Sequence, residues 1–326
     1  MFTLASVLSV GGESTAALQP DSIHTVIGLE DRPTIRNLLD AHAFASSAPF
    51  VLFDRHLEKN GGFSMHLAME KSTTPSANAS KHCAKLFGYQ IGENMWPEMG
   101  TLLQANENVC VDGHSPVPGD WLARARALAV AKPCAAQPCA ADGWAVPPRV
   151  LTTLRIRKPT DHYHSFYEWD QVPRMNKKWA TNKTLVEYIA MTPDLQANIL
   201  LDSNRAVLAQ HRQGEAQPLN SSACTQAMAV ASSVDLLTTT EAMSDVWPVL
   251  RELTGLALPE EHFHENAKSF GCCGPAVDAM AIDEVEEATR LAAPCDWKLF
   301  QMARDSTDKM LQDWKAAQAE KSEAAQ

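Results

Sequence analysis

The chain sets short runs of consecutive apolar residues against longer stretches of helical periodicity. Four runs are strand-length: Phe50-Val-Leu-Phe53, Asn108-Val-Cys-Val111, Val150–Ile156 and Ser233-Val-Asp-Leu-Leu-Thr238. An unbroken apolar run of this length suits a strand buried on both faces, as in a parallel sheet. Between the runs, apolar residues return every three or four positions. That spacing predicts helices over 33–45, from Ser64 to Lys71, over 120–131, from Pro159 onward, and over 184–189 and 194–201. It predicts further helices over 240–253, where Gly255 is the stop, and over 283–291 and 295–316. Residues 132–148 read as an Ala/Pro-rich linker or surface loop, and the polar tail 317–326 is expected to fray. Strands alternating with helices predict an α/β fold, with a central parallel sheet covered on both faces.

Length and charge narrow the choice of partners. A chain of 326 residues can form one large or two small domains. It carries 28 basic and 39 acidic residues, a net charge of −11. That balance argues against general nucleic-acid binding, which needs a basic footprint. It also argues against a highly sulfated polyanion as substrate, unless positive charge is concentrated in one cleft. No apolar run reaches the roughly 18 residues of a membrane span. The N-terminus, Met1–Val10, is briefly apolar but lacks a basic flank, so a lightly packed terminus is expected rather than a signal peptide.

Eight cysteines leave the compartment open. Cys83, Cys110, Cys224 and Cys295 are isolated in sequence, Cys272 and Cys273 are adjacent, and a Cys134–Cys139 disulfide is possible. No paired CxxC spacing occurs, so no zinc site is expected. Sequons at Asn78, Asn182 and Asn220 point weakly toward a lumenal compartment.

Two segments carry candidate chemistry. After the first strand comes Lys59-Asn60-Gly61-Gly62-Phe63-Ser64-Met65, at the start of a helix. A phosphate-gripping turn needs exposed backbone N–H groups, a helix N-terminus and a cation. Glycine lets the backbone approach the anion. Gly61 and Gly62 would shape the turn, N–H groups from Asn60 to Met65 would face a phosphate, Ser64 would cap the helix and Lys59 would supply charge. The triphosphatase signature GxxxxGK[ST] is absent. After the third strand comes Arg155-Ile-Arg157-Lys-Pro159, and a guanidinium suits phosphate well. Gly113-His114 follows the second strand, at the edge where ligands bind in open α/β sheets.

These segments together resemble the sulfotransferases that use PAPS (3'-phosphoadenosine-5'-phosphosulfate). His56, Lys59, Gly61, Gly62 and Ser64 match their turn, His-x-Pro-Lys-Thr-Gly-Gly-Thr-Ser. Glu58 stands in place of the proline, Asn60 of the threonine and Phe63 of a hydroxyl residue. Arg157 and Ser165 match the arginine and serine of their 3'-phosphate motif, with Pro159 at the right interval. The likeness is to the carbohydrate enzymes, heparan sulfate 2-O type included, and spans about 49–305. Later segments, Thr184–Ile189, Pro193-Asp-Leu-Gln196-Ala-Asn198, Ser233–Glu241, His264-Glu-Asn266 and Asp296–Ala303, resemble the family's in the same order.

The resemblance implies a P-loop-like three-layer sandwich, with an N-terminal extension over 1–47, a sulfotransferase domain over 48–305 and a C-terminal helix end and polar tail over 306–326. It implies PAPS as sulfuryl donor, PAP as product, and no metal. The PAPS site would comprise Lys59, Asn60, Gly61, Gly62, Phe63, Ser64, Met65, Arg157 and Ser165. His114 would be the base, with Asp112 or Glu58 as alternatives, and Lys59 would also neutralise the leaving oxygen. The acceptor would be a hydroxyl of a glycan or another hydroxylated molecule. The compartment would be the Golgi lumen or secretory pathway, with cytoplasm as the alternative. Two other readings stay open: a non-catalytic nucleotide-binding relative and a P-loop-like kinase.

Overall fold

The computed structural model describes residues 35–41, 49–73, 82–87, 94–114, 120–130, 148–171, 183–202, 210, 216–256, 258 and 282–324. Asn78, Asn182, Cys134, Cys139, Cys272, Cys273 and His264 to Asn266 lie outside them. Five strands form one sheet: β1 (Phe50–Arg55), β2 (Ala84–Phe87), β3 (Val109–Asp112), β4 (Arg149–Ile156) and β5 (Leu236–Thr239). Their order is β2-β3-β1-β4-β5, and every pairing is parallel. β1 is therefore central, with Val51 opposite both Val109 and Val150.

Alternate residues of β1 explain its unbroken apolar run. Val51 and Phe53 enter one core cluster, while Phe50 and Leu52 enter the other, so both faces of the strand are dry. The first face is covered by α3 (Met95–Gln104), α4 (Trp121–Val130), α5 (Pro159–Gln171), α6 (Leu185–Met191), α7 (Leu195–Leu201) and α8 (Ser221–Ser233). Phe53 stacks between Trp96 and Trp121 there, with ring centroids 5.7 and 5.2 Å away. The second face is covered by α1 (Ile35–Ala41), α2 (Gly62–Lys71) and α9 (Met243–Thr254). α10 (Ile282–Ala292) packs on α6, and α11 (Pro294–Ala324) passes β5 from one layer to the other. Leu299 and Ala303 belong to the first cluster, and Met310 to the second.

Several expectations change. β2, α3 and α8 are not foreseen by the periodicity. The tail does not fray at 317: α11 continues to Ala324, with Trp314 Nε1 donating to Glu252 Oε2 at 2.7 Å and Lys321 paired to the same carboxylate. The four cysteines that look isolated in sequence are paired, Cys83 with Cys110 and Cys224 with Cys295. Sequence spacing hides this, because the bonds join neighbouring elements 27 and 71 positions apart. Among the described residues, no helix is long and apolar enough to cross a membrane.

Candidate functional site

The carboxyl ends of β1, β3, β4 and β5 meet at one edge of the sheet. β1 delivers 56–62, β3 delivers Gly113 and His114, β4 delivers Arg157 and Lys158, and β5 delivers Thr240 and Glu241. The edge is braced beneath by buried polar groups. Arg155 grips Asp54 with two hydrogen bonds, 2.5 Å from Nη1 and 2.7 Å from Nη2, and Thr153 donates to the same carboxylate at 2.6 Å. Two parallel N–H···O bonds fix guanidinium and carboxylate in one geometry. Arg155 is thus engaged inside the sheet, and Arg157 is the arginine at its rim. Arg55 is wholly buried and donates to the carbonyls of Gly113 and Ile199; burial lowers it to about 10, against the pull of Glu58, Asp54 and Asp112.

The turn after β1 is held in unusual backbone. Lys59 and Gly61 both have left-handed φ, 66° and 72°. Glycine adopts that region freely, whereas lysine is strained there, and such strain gathers at functional sites. Gly62 has a separate reason: a Cβ there would lie 1.7 Å from His56 Nε2, so the imidazole rests directly on its backbone. Asn60 N–H bonds Leu57 O at 3.2 Å, and the N–H groups of Ser64 and Met65 bond Gly61 O at 3.1 and 3.4 Å. The N–H groups expected to face an anion, 60–65, therefore narrow to those of Gly61, Gly62 and Phe63, which those bonds do not use. The Asn60 side chain is buried and positions the turn, donating to Arg155 O at 3.0 Å and to Gln196 Oε1 at 2.8 Å. Ser64 and Met65 are buried at the start of α2.

The two candidate anion segments converge. Arg157 Nη1 donates to Lys59 O at 3.0 Å. Gln196, from the start of α7, ties both segments together: its Oε1 accepts from Arg157 N and Asn60, and its Nε2 donates to Arg157 O. Sequence reasoning had only a loose likeness at Gln196, because its role depends on α7 lying under the turn. Ser165 sits half-buried within α5, and its side-chain hydroxyl makes no hydrogen bond to the described residues.

A histidine–carboxylate network lies beside the turn, and sequence reasoning missed its wiring. Asp112 is wholly buried; its Oδ1 meets His56 Nδ1 and its Oδ2 meets His66 Nδ1, each at 2.9 Å. Burial alone would raise this carboxyl, but His56, His66 and His114 override it and hold it well below the ordinary range. Asp112 is therefore an orienting anion and, with both oxygens occupied, a poor proton acceptor. Lys85 Nζ lies 2.8 Å from His66 Nε2. His114 stands edge-on to His56, with ring centroids 4.4 Å apart, and its Nε2 is 3.8 Å from Glu58 Oε1. The signal in sequence was the histidine three before Lys59, but its pairing with Asp112 requires β1 and β3 to be neighbours.

His162 lies beneath the turn, with its Nε2 3.0 Å from Glu58 O. Burial pushes it down to about 3, helped by the nearby charges of Arg157 and Lys59. It is a neutral donor that supports the turn. Glu241, raised by burial, accepts from Lys158 N at 2.9 Å. Among the described residues, no group of three His, Cys, Asp or Glu is arranged to hold a metal ion. Comparison of the chain with protein-family models, with curated proteins and with solved structures finds no match.

Proposed function

We propose that this protein is a PAPS-dependent sulfotransferase acting on a hydroxyl acceptor, with a glycan or small hydroxylated molecule as the acceptor class. One observation carries the reading: two sequence segments that each look like an anion site meet at the same sheet edge, with Arg157 hydrogen-bonded to Lys59 O. The apex N–H groups of Gly61, Gly62 and Phe63 suit a 5'-phosphate at the start of α2. The Arg157 guanidinium suits the second phosphate.

Bound PAPS supplies the sulfuryl group. In the transfer, the acceptor oxygen bonds to sulfur as the bond from sulfur to the bridging oxygen breaks, and that oxygen keeps the electron pair on PAP. His114 takes the acceptor proton, for which an imidazole is suited near neutral pH. Lys59 offsets the charge that grows on the leaving oxygen. The excess of acidic residues favours a neutral or lightly charged acceptor. Two disulfides among the described residues support an oxidising compartment such as the secretory lumen.

Calorimetric titration with PAP tests the reading. Wild type should bind in the micromolar range. Arg157→Ala and Lys59→Ala should each weaken binding by about tenfold to a hundredfold, the worth of a charge-assisted hydrogen bond. Absence of binding by folded wild type overturns the proposal.

A further inference from the structure

His56 has one ring nitrogen fixed and one open. Its Nδ1 meets Asp112 Oδ1 at 2.9 Å, and an ionised carboxylate only accepts, so the hydrogen sits on Nδ1. Its Nε2 receives no hydrogen bond from the described residues. That nitrogen lies against Gly62, one of the three turn residues whose N–H groups are not engaged by the turn and helix bonds.

The second histidine on Asp112 does not cancel its charge. An ammonium is a donor only, so His66 Nε2 accepts from Lys85, and the His66 hydrogen sits on Nδ1, facing Asp112 Oδ2. Asp112 thus keeps a negative charge with His56 as the ring able to answer it. Other charged or titratable groups near His56 include His114, edge-on to its ring with Glu58 beyond, and Arg55, which donates to His56 O; Lys59 follows three residues on in the turn.

We propose that His56 is a proton-linked ligand of the anion held by the turn. When a phosphate oxygen docks at Gly61–Phe63, His56 takes one proton from solvent at Nε2 and donates it to that oxygen, while Asp112 balances the charge from behind. This rests on the reading that the turn holds a phosphate of PAPS, and it adds to that reading a neutral-to-cationic change confined to one residue. His114 remains the base for the acceptor, and His56 serves the donor.

The test is calorimetric titration of the full chain with PAP at pH 8, in two buffers of different ionisation enthalpy. The difference between the two heats counts protons taken up. Wild type should take up close to one proton. His56→Asn retains a donor at the Nδ1 position and loses the Nε2 position; His56→Gln retains an amide near Nε2 that cannot titrate. Both should lose the uptake and bind PAP about tenfold more weakly, with unchanged near-ultraviolet dichroism. Should neither variant fold, His114→Gln decides: uptake retained supports His56, and uptake lost assigns the proton to His114 and overturns the inference. Wild-type binding with no uptake, or uptake unchanged in folded His56 variants, also overturns it. No PAP binding by folded wild type is a different failure, which removes the phosphate reading and this inference together.

Discussion

His162 couples the turn to acid stability. Folded, it is neutral with its value near 3, whereas the unfolded ring has its ordinary 6.5. Between those values the unfolded chain binds a proton that the folded chain does not. Stability therefore falls as pH drops from 6.5 toward 3, and the unfolding constant rises by up to about tenfold per pH unit from this group. Asp112 acts with the same sign, but only once pH passes below its ordinary 3.8. His162→Gln keeps an amide donor for Glu58 O and cannot titrate. Urea midpoints between pH 7 and 4 should fall steadily in wild type and flatten in this variant; an equal slope in both would assign the acid sensitivity elsewhere. At this scale Lys59, Gly61, Gly62 and Arg157 were legible in sequence, because each belongs to a local pattern. Asp112 with His56 and Gln196 with Asn60 were not, because those contacts join residues 56 and 136 positions apart.

The turn from β1 into α2 behaves as one unit. A methyl at Gly62 would collide with the His56 ring, which could yield only by leaving Asp112. Gly62→Ala should cost about 1–3 kcal/mol of stability, typical of overpacking. In a His56→Ala background the collision disappears, so the two changes should be strongly non-additive in a double-mutant cycle. Additive costs from urea unfolding would show that the imidazole does not rest on the glycine. Among the elements, β1, β3, β4 and β5 were legible as apolar runs, since burial on both faces leaves little room for polar residues. β2 is four residues, Ala-Lys-Leu-Phe, at the sheet edge, and too short and mixed to register. α3 carries Pro97 and Gly100, which read as helix breakers and mask its Met95-Met99-Leu103 stripe, and α8 is mostly Ala and Ser and has no strong apolar stripe. α11 was cut short because its last turns are polar; the Glu252 carboxylate, bonded to Trp314 and Lys321, ties that stretch to α9.

Over the whole molecule, the disulfides do more than fasten neighbours. Cys83–Cys110 joins the segment before the edge strand β2 to β3, two residues before Asp112. Cys224–Cys295 ties α8 to the first turn of α11, where Asp194 and Asp296 cap one another's helices: Cys295 N meets Asp194 at 2.8 Å, and Ala197 N meets Asp296 at 2.8 Å. Replacing either pair with serine should cost about 2–4 kcal/mol, somewhat more for Cys224–Cys295 because it closes the longer loop. Urea unfolding with and without reductant checks this, and an unchanged midpoint in reductant would argue for assembly in a reducing compartment.

The strand order has a consequence for how the chain is made. β1 leaves the ribosome first of the five strands, yet it is paired on both sides only after β3 and then β4 have followed, from Val109 and Arg149 onward. Its first partner, β3, follows about fifty residues later and its second, β4, about a hundred residues later, which is several seconds of synthesis at ordinary translation rates. Pairings this far apart in sequence also make closure slow. The turn after β1 is thus the first part of the candidate site to be written and among the last to be assembled. A nascent chain stalled before residue 149 leaves β1 with the edge that β4 covers still unpaired.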